Sequence, residues 1–160
     1  MSLRTPATVS ALMDNVLSFP PGLDDRQQAL GKVALANIPR PPRAIPPRLH
    51  RTQALQFPIA GLFLLLAPSL LTRLFRDLLV GPRGVARVDA VERGRDARGR
   101  QSDFWWVRFT YLVDSVEFRS VVRAEEADAN DARNAGVLPI VVDPAVPSRV
   151  LVWWSALDVR

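Results

Sequence analysis

Apolar and polar positions follow three successive rhythms along this chain. In the first third the spacing is helical: residues 7–18 place Val9, Leu12, Met13, Val16 and Leu17 on one face, and Pro20-Pro21-Gly22 stops the run. A second short helix is predicted from Asp25 to about Ala36, with Asp24 as N-cap and Leu30, Val33 and Ala34 as a weak apolar stripe that Gly31 dilutes. Five prolines between Asn37 and Arg51 then forbid helix and favour an extended polyproline strut.

The second rhythm is unbroken apolarity. From Leu55 to Leu71 the chain is nearly all hydrophobic, and Phe57 to Leu71 carries no charge. A bilayer core of about 30 Å needs about 20 helical residues, with a lower bound near 17. The segment is therefore read as a short transmembrane helix whose spanning side chains are Phe57, Ile59, Leu62, Phe63, Leu64, Leu65, Leu66, Leu70 and Leu71. Arg73 and Arg76 snorkel to the interface, an amphipathic stretch continues to Leu79, and Gly81-Pro82 ends it. A buried core helix is the alternative.

After Gly84 the period becomes two. Strands are predicted over Val85–Val91, Phe104–Val113, Val116–Arg123, Val137–Val142 and Arg149–Trp154. Arg93 to Gln101 reads as a charged loop, Asp114-Ser115 as a hairpin turn, and Glu125–Ala135 as a short helix closed by Gly136. On the second strand Trp105, Val107, Phe109, Tyr111 and Val113 share the face better suited to a core. The expected fold class is thus an α+β membrane protein: one transmembrane helix plus a small antiparallel sheet or partly closed barrel of about five strands. Its parts are a basic arm (1–53), the membrane helix with its amphipathic extension (54–80) and the β-domain (81–160).

Charge sharpens this division. The net charge is +5; residues 1–53 hold seven Arg or Lys against three acids, whereas residues 81–160 hold twelve of each sign. A basic arm beside an apolar helix suits anionic lipid headgroups, and Arg40, Arg43, Arg48, Arg51, Arg73 and Arg76 are the candidate contacts. Arginines flank the apolar segment equally, so the positive-inside rule ties. The arm is assigned to the cytoplasmic side because the compact β-domain can cross as a unit. No continuous apolar core of a signal peptide precedes Phe19.

Gly84-Val85-Ala86-Arg87-Val88, the strand Val107-Arg108-Phe109-Thr110-Tyr111, and Gly136-Val137-Leu138-Pro139-Ile140-Val141-Val142-Asp143-Pro144 with Pro147-Ser148 carry a family likeness. From about Gly61 to Leu151 the chain resembles a large bacterial group of membrane proteins of unknown function, in which a membrane helix precedes a small β-domain. The resemblance implies a single-pass protein of the bacterial cell membrane and brings no activity. The turn Asp114-Ser115 stands where relatives show Asp-Gly, no second membrane helix follows the β-domain, and the arm has no counterpart.

Enzyme chemistry is not expected. The chain has no cysteine, and its one histidine, His50, sits in the proline strut without a recognisable partner. The acidic pairs Asp24-Asp25, Glu125-Glu126 and Asp128/Asp131 lie in polar segments, and no helix with P-loop spacing follows Gly94 and Gly99. No catalytic residue, metal or cofactor is assigned. Trp106, Trp153 and Trp154 are read as partner or interfacial contacts.

The leading expectation is a non-enzymatic accessory subunit of a larger membrane complex, with other membrane protein subunits as partners. A monomeric membrane sensor or peptide-binding module is the second reading, and a soluble basic nucleic-acid-binding protein the third. Nucleic acid is set aside because the β-domain sums to neutrality.

Overall fold

The computed structural model describes residues 16–40, 43 and 80–157. Its helices are α1 (Asp25–Asn37) and α2 (Glu126–Ala135). Its strands are β1 (Arg83–Arg95), β2 (Gln101–Val113), β3 (Val116–Ala124), β4 (Val137–Val142) and β5 (Val150–Val152), followed by a 3-10 turn at Trp154–Ala156. The strands form one antiparallel sheet in the order β3-β2-β1-β4-β5.

Local chemistry explains the element ends. The Asp24 carboxylate accepts from the Gln27 amide at 2.7 Å while the Gln27 side chain accepts from the Asp24 amide, a reciprocal cap that satisfies two orphan donors at the start of α1. Gly136 ends α2 at φ +68, where its N–H donates to Ala132 O. Asp114 and Ser115 both adopt positive φ, the backbone that joins twisted strands through a two-residue turn. Pro139 sits inside the sheet at little cost. Its carbonyl accepts from Trp153 N, so its missing N–H lies on the β5 side, where the ladder has already ended at Ile140–Val152.

Alternation distributes the core to both faces. Val107, Phe109, Tyr111 and Val113 of β2 are buried with Ala86, Leu138, Ile140 and Val142 against Ala129 and Ala132 of α2. Val85, one residue from Ala86 and so on the opposite face, lies against Gly31 of α1. Gly31, Ala34 and Ile38 form the buried stripe at i, i+3 and i+7, whereas Val33 is exposed. The glycine that looked like a weakness is where the helix touches the sheet.

The single-pass membrane assignment is corrected. Among the described residues no helix is long and apolar enough to cross a membrane. At about 1.5 Å per residue α1 and α2 extend for roughly 20 and 15 Å, short of the ~30 Å hydrocarbon core, and both are polar. The segment expected to span, with Phe57, Ile59, Leu62, Phe63, Leu64, Leu65, Leu66, Leu70 and Leu71, lies outside the described residues. The fold class described is a five-stranded antiparallel sheet with two short helices, in place of the expected membrane helix joined to a β-domain. A location in the bacterial cell membrane, the arm's orientation and membership of a membrane complex lose their structural basis with the span.

Two local expectations also change. Val16 and Leu17, assigned to an amphipathic helix, instead run beside β1: Val16 bridges Arg83, and the Leu17 amide donates to Arg83 O at 2.8 Å. The rest of that predicted helix, 7–15, lies outside the described residues. The predicted loop 93–101 is shorter than expected, because Arg93 pairs with Trp105 and Arg95 with Gln101, which leaves the tip Asp96–Arg100 as turn.

Candidate functional site

The alternation that buries Val107 and Phe109 turns Phe104, Trp106, Arg108, Thr110 and Leu112 to the other face of β2. Among the described residues helix α1 packs on that face over β1 and β4. Over β2 and β3 the face carries Trp106 paired with Arg123, Arg108 with Val121, and the buried Thr110 with Arg119. On the β1 side Glu92 pairs with Trp106 and Ala90 with Arg108.

One end of this surface is built around Phe104. Its ring lies across Gly94 of β1, where any Cβ would collide with it. The edge of Trp106 meets it at 5.3 Å between centroids and an interplanar angle of 83°. The Arg123 guanidinium is held 4.0 Å from the Phe104 ring centre, a close cation–π contact. A partly buried planar cation is thereby seated on an aromatic base.

From the same end β1 and β2 continue past their neighbours as a two-stranded ribbon. Strand β3 stops at Ala124, opposite Trp105, and β4 pairs with β1 only as far as Arg87. The ribbon carries Arg93, Arg95, Arg98 and Arg100, all exposed. The Asp96 carboxylate is engaged within the tip, accepting from the amides of Arg98 (2.9 Å) and Arg100 (2.8 Å). Arg93 donates to Ser102 O and Gln101 Oε1. Among the described residues Arg95, Arg98 and Arg100 have no ion pair.

Asp103 is exposed on β2 at the root of the ribbon, and the other acids near this surface are occupied or lie elsewhere. Asp89 accepts from Thr110 and Arg87, and Glu92 and Glu117 pair with Arg108 (3.6 Å) and Arg119 (3.1 Å) in exposed, weak bridges. Glu125, Glu126, Asp128 and Asp131 cluster at and within α2, on the opposite face. Asp143 is buried, caps the turn amides of Ala145 and Val146, and faces Arg149.

The arginines and tryptophans singled out from sequence divide. Trp106 is half-buried on the open face, while Trp153 and Trp154 are each only 4% exposed and belong to the interior, a correction to their reading as contacts. The cause is the early end of β5 at Val152: the 3-10 turn then folds both indoles inward. Arg43 is buried too, donating to Pro39 O and Gly81 O, so it ties chain segments together rather than meeting headgroups. Arg40 is exposed, and Arg48, Arg51, Arg73 and Arg76 lie outside the described residues, as does His50. The arginines between Gly94 and Gly99 were set aside with the P-loop reading, and Phe104, Arg108 and Arg123 were not singled out. Their signal is a row of basic residues continuing two strands, which reads as a loop when apolar alternation is the only guide.

Among the described residues no group of three His, Cys, Asp or Glu side chains is placed to hold a metal. A groove between α1 and α2, lined by Leu30, Ala34, Asp131 and Leu157, has a volume of about 190 Å³, below the ~300 Å³ at which ligand pockets usually begin. The Tyr111 hydroxyl, its pKa raised to about 12 by burial, donates to Pro147 O at 2.8 Å and serves packing. No family model matches the chain, and no curated protein or solved structure is significantly similar to it.

Proposed function

We propose that this chain is a non-catalytic binding module that grips an anionic macromolecule with the β1–β2 ribbon and the adjoining face of β2 and β3. The observation that carries the reading is the separation of charge. Arg95, Arg98 and Arg100 crowd the ribbon and Arg123 stands at its root, with Arg108 and Arg119 beside it in weak bridges to Glu92 and Glu117, while four acids gather around α2 on the other side, the side to which Arg93 and Arg133 turn over Trp105. A field of one sign steers an oppositely charged partner to one surface, whatever the sum over the domain.

Retention on immobilised heparin tests this. Arg98→Glu/Arg100→Glu removes charge at the ribbon tip, and Arg26→Glu/Lys32→Glu makes the same change of net charge on exposed positions of α1. The first pair is expected to elute at markedly lower salt than the unaltered chain, the second close to it. Equal shifts would mean that total charge alone governs retention, and the localised surface would be rejected.

A further inference from the structure

We infer that the anionic partner is a single-stranded nucleic acid, its phosphates held by the ribbon arginines and a base stacked at the Phe104–Arg123 pair. The inference rests on the anionic-ligand reading above and adds the ligand's chemistry. Two features at the root of the ribbon carry it beyond charge.

The first is the guanidinium seated on a ring. Phe104 is fixed from below by Gly94 and from the side by Trp106, so Arg123 above it is a planar cation pre-oriented at 4.0 Å. Guanidinium planes and aromatic rings are the platforms on which unpaired bases stack, and stacking tolerates any sequence because every base has a π-face. In a duplex those faces are hidden. A planar cation backed by a ring has less to offer an acidic peptide, whose carboxylates seek the edge of the guanidinium rather than its face.

The second is continuity. Phe104 follows the ribbon's last basic residue by four positions, with Arg95, Arg98 and Arg100 beyond it and Trp106, Arg108 and Arg119 behind. A strand stacked at Phe104–Arg123 therefore meets the ribbon cations in one direction and, in the other, Arg108 and Arg119, which a phosphate reaches by displacing their weak bridges to Glu92 and Glu117. This is the pairing of a basic track with a stacking platform that single-strand binders share.

Fluorescence anisotropy of the full chain with a labelled oligodeoxythymidine of about 20 nucleotides, longer than the roughly 16-nucleotide upper footprint of a small sheet domain, tests the assignment. Parallel titrations use a duplex of equal length, polyglutamate and phosphatidylserine vesicles. The single strand is expected to bind best, with log Kd rising with log salt. Arg98→Glu/Arg100→Glu should lower that salt slope by roughly 1 to 2, since each phosphate contact contributes about 0.7 for single strands. Arg123→Lys keeps the charge and removes the plane, so it should weaken binding about tenfold with the slope unchanged.

Circular dichroism of each variant separates loss of the surface from loss of the fold, and Arg95→Glu at another exposed ribbon position replaces any variant that does not fold. Binding of polyglutamate or vesicles but not the oligonucleotide, dependent on Arg98 and Arg100, would overturn the inference while sustaining the anionic surface. A duplex binding as tightly as the single strand, with Arg123→Lys silent, would overturn the stacking assignment. No binding to any of the four would bring down both readings.

Discussion

Tyr111 is the only tyrosine in the chain, so its ionisation can be followed directly in the ultraviolet. Burial pushes its pKa up to about 12, against about 10 in an unfolded chain. Because the unfolded state releases the proton first, the stability held by the neutral hydroxyl is complete below pH 10 and is lost as pH rises to 12. Absorbance at alkaline pH should show a midpoint near 12 in the native chain and near 10 in urea. Tyr111→Phe should remove that loss of stability and also cost about 1 kcal/mol at neutral pH through the missing bond to Pro147 O. The turn residue Ser115 invites the opposite change. It holds φ +67, a conformation that costs an L-residue about 1 kcal/mol, so Ser115→Gly should stabilise the domain by up to that amount in urea denaturation. Which side of β2 carries the core was legible from alternation alone. That Trp153 and Trp154 are interior was not, because their placement depends on where β5 stops.

Among the elements, α1 was the most legible. Its start at Asp24 follows from side-chain chemistry within four residues, and Asp24→Ala should cost about 1 kcal/mol by removing the carboxylate half of the reciprocal cap, read as a lower urea midpoint. Asp24→Asn should lose much less. The buried stripe of α1 was misread because apolarity was used where closeness mattered: Gly31 lies against Val85 and Phe19, while the larger Val33 is 45% exposed. The ribbon escaped for a related reason. Residues 93–95 and 101 have no hydrophobic alternation, and what makes them strand is the backbone pairing of β1 with β2 inherited from the apolar register further down the hairpin. Pairing that is carried by the backbone leaves no signature in side-chain pattern.

At the scale of the molecule, the sequence pointed to five antiparallel strands and a short helix between the third and fourth, and these are present. It also pointed to a membrane span. Unbroken apolarity over 57–71 was the ground for that, and no described helix crosses a membrane. The candidate surface was invisible for a physical reason: summing charge over residues 81–160 gives zero, and the sum discards position. Folding gathers four acids around α2 on one face and brings Arg95, Arg98 and Arg100 to the ribbon with Arg123 at its root, so neutrality over the domain and a local excess of positive charge coexist. The aromatic end of that surface likewise joins Gly94, Phe104 and Arg123, which are distant in sequence and meet only through the pairing of three strands.

Mapping of amide chemical shifts while an oligodeoxythymidine is titrated into the isotopically labelled chain locates the contact surface residue by residue. Perturbations are expected to concentrate on residues 93–108 and 119–123 and to leave α2 and β4 unmoved. Largest shifts on α2, or saturation without any movement at the ribbon, would contradict the account.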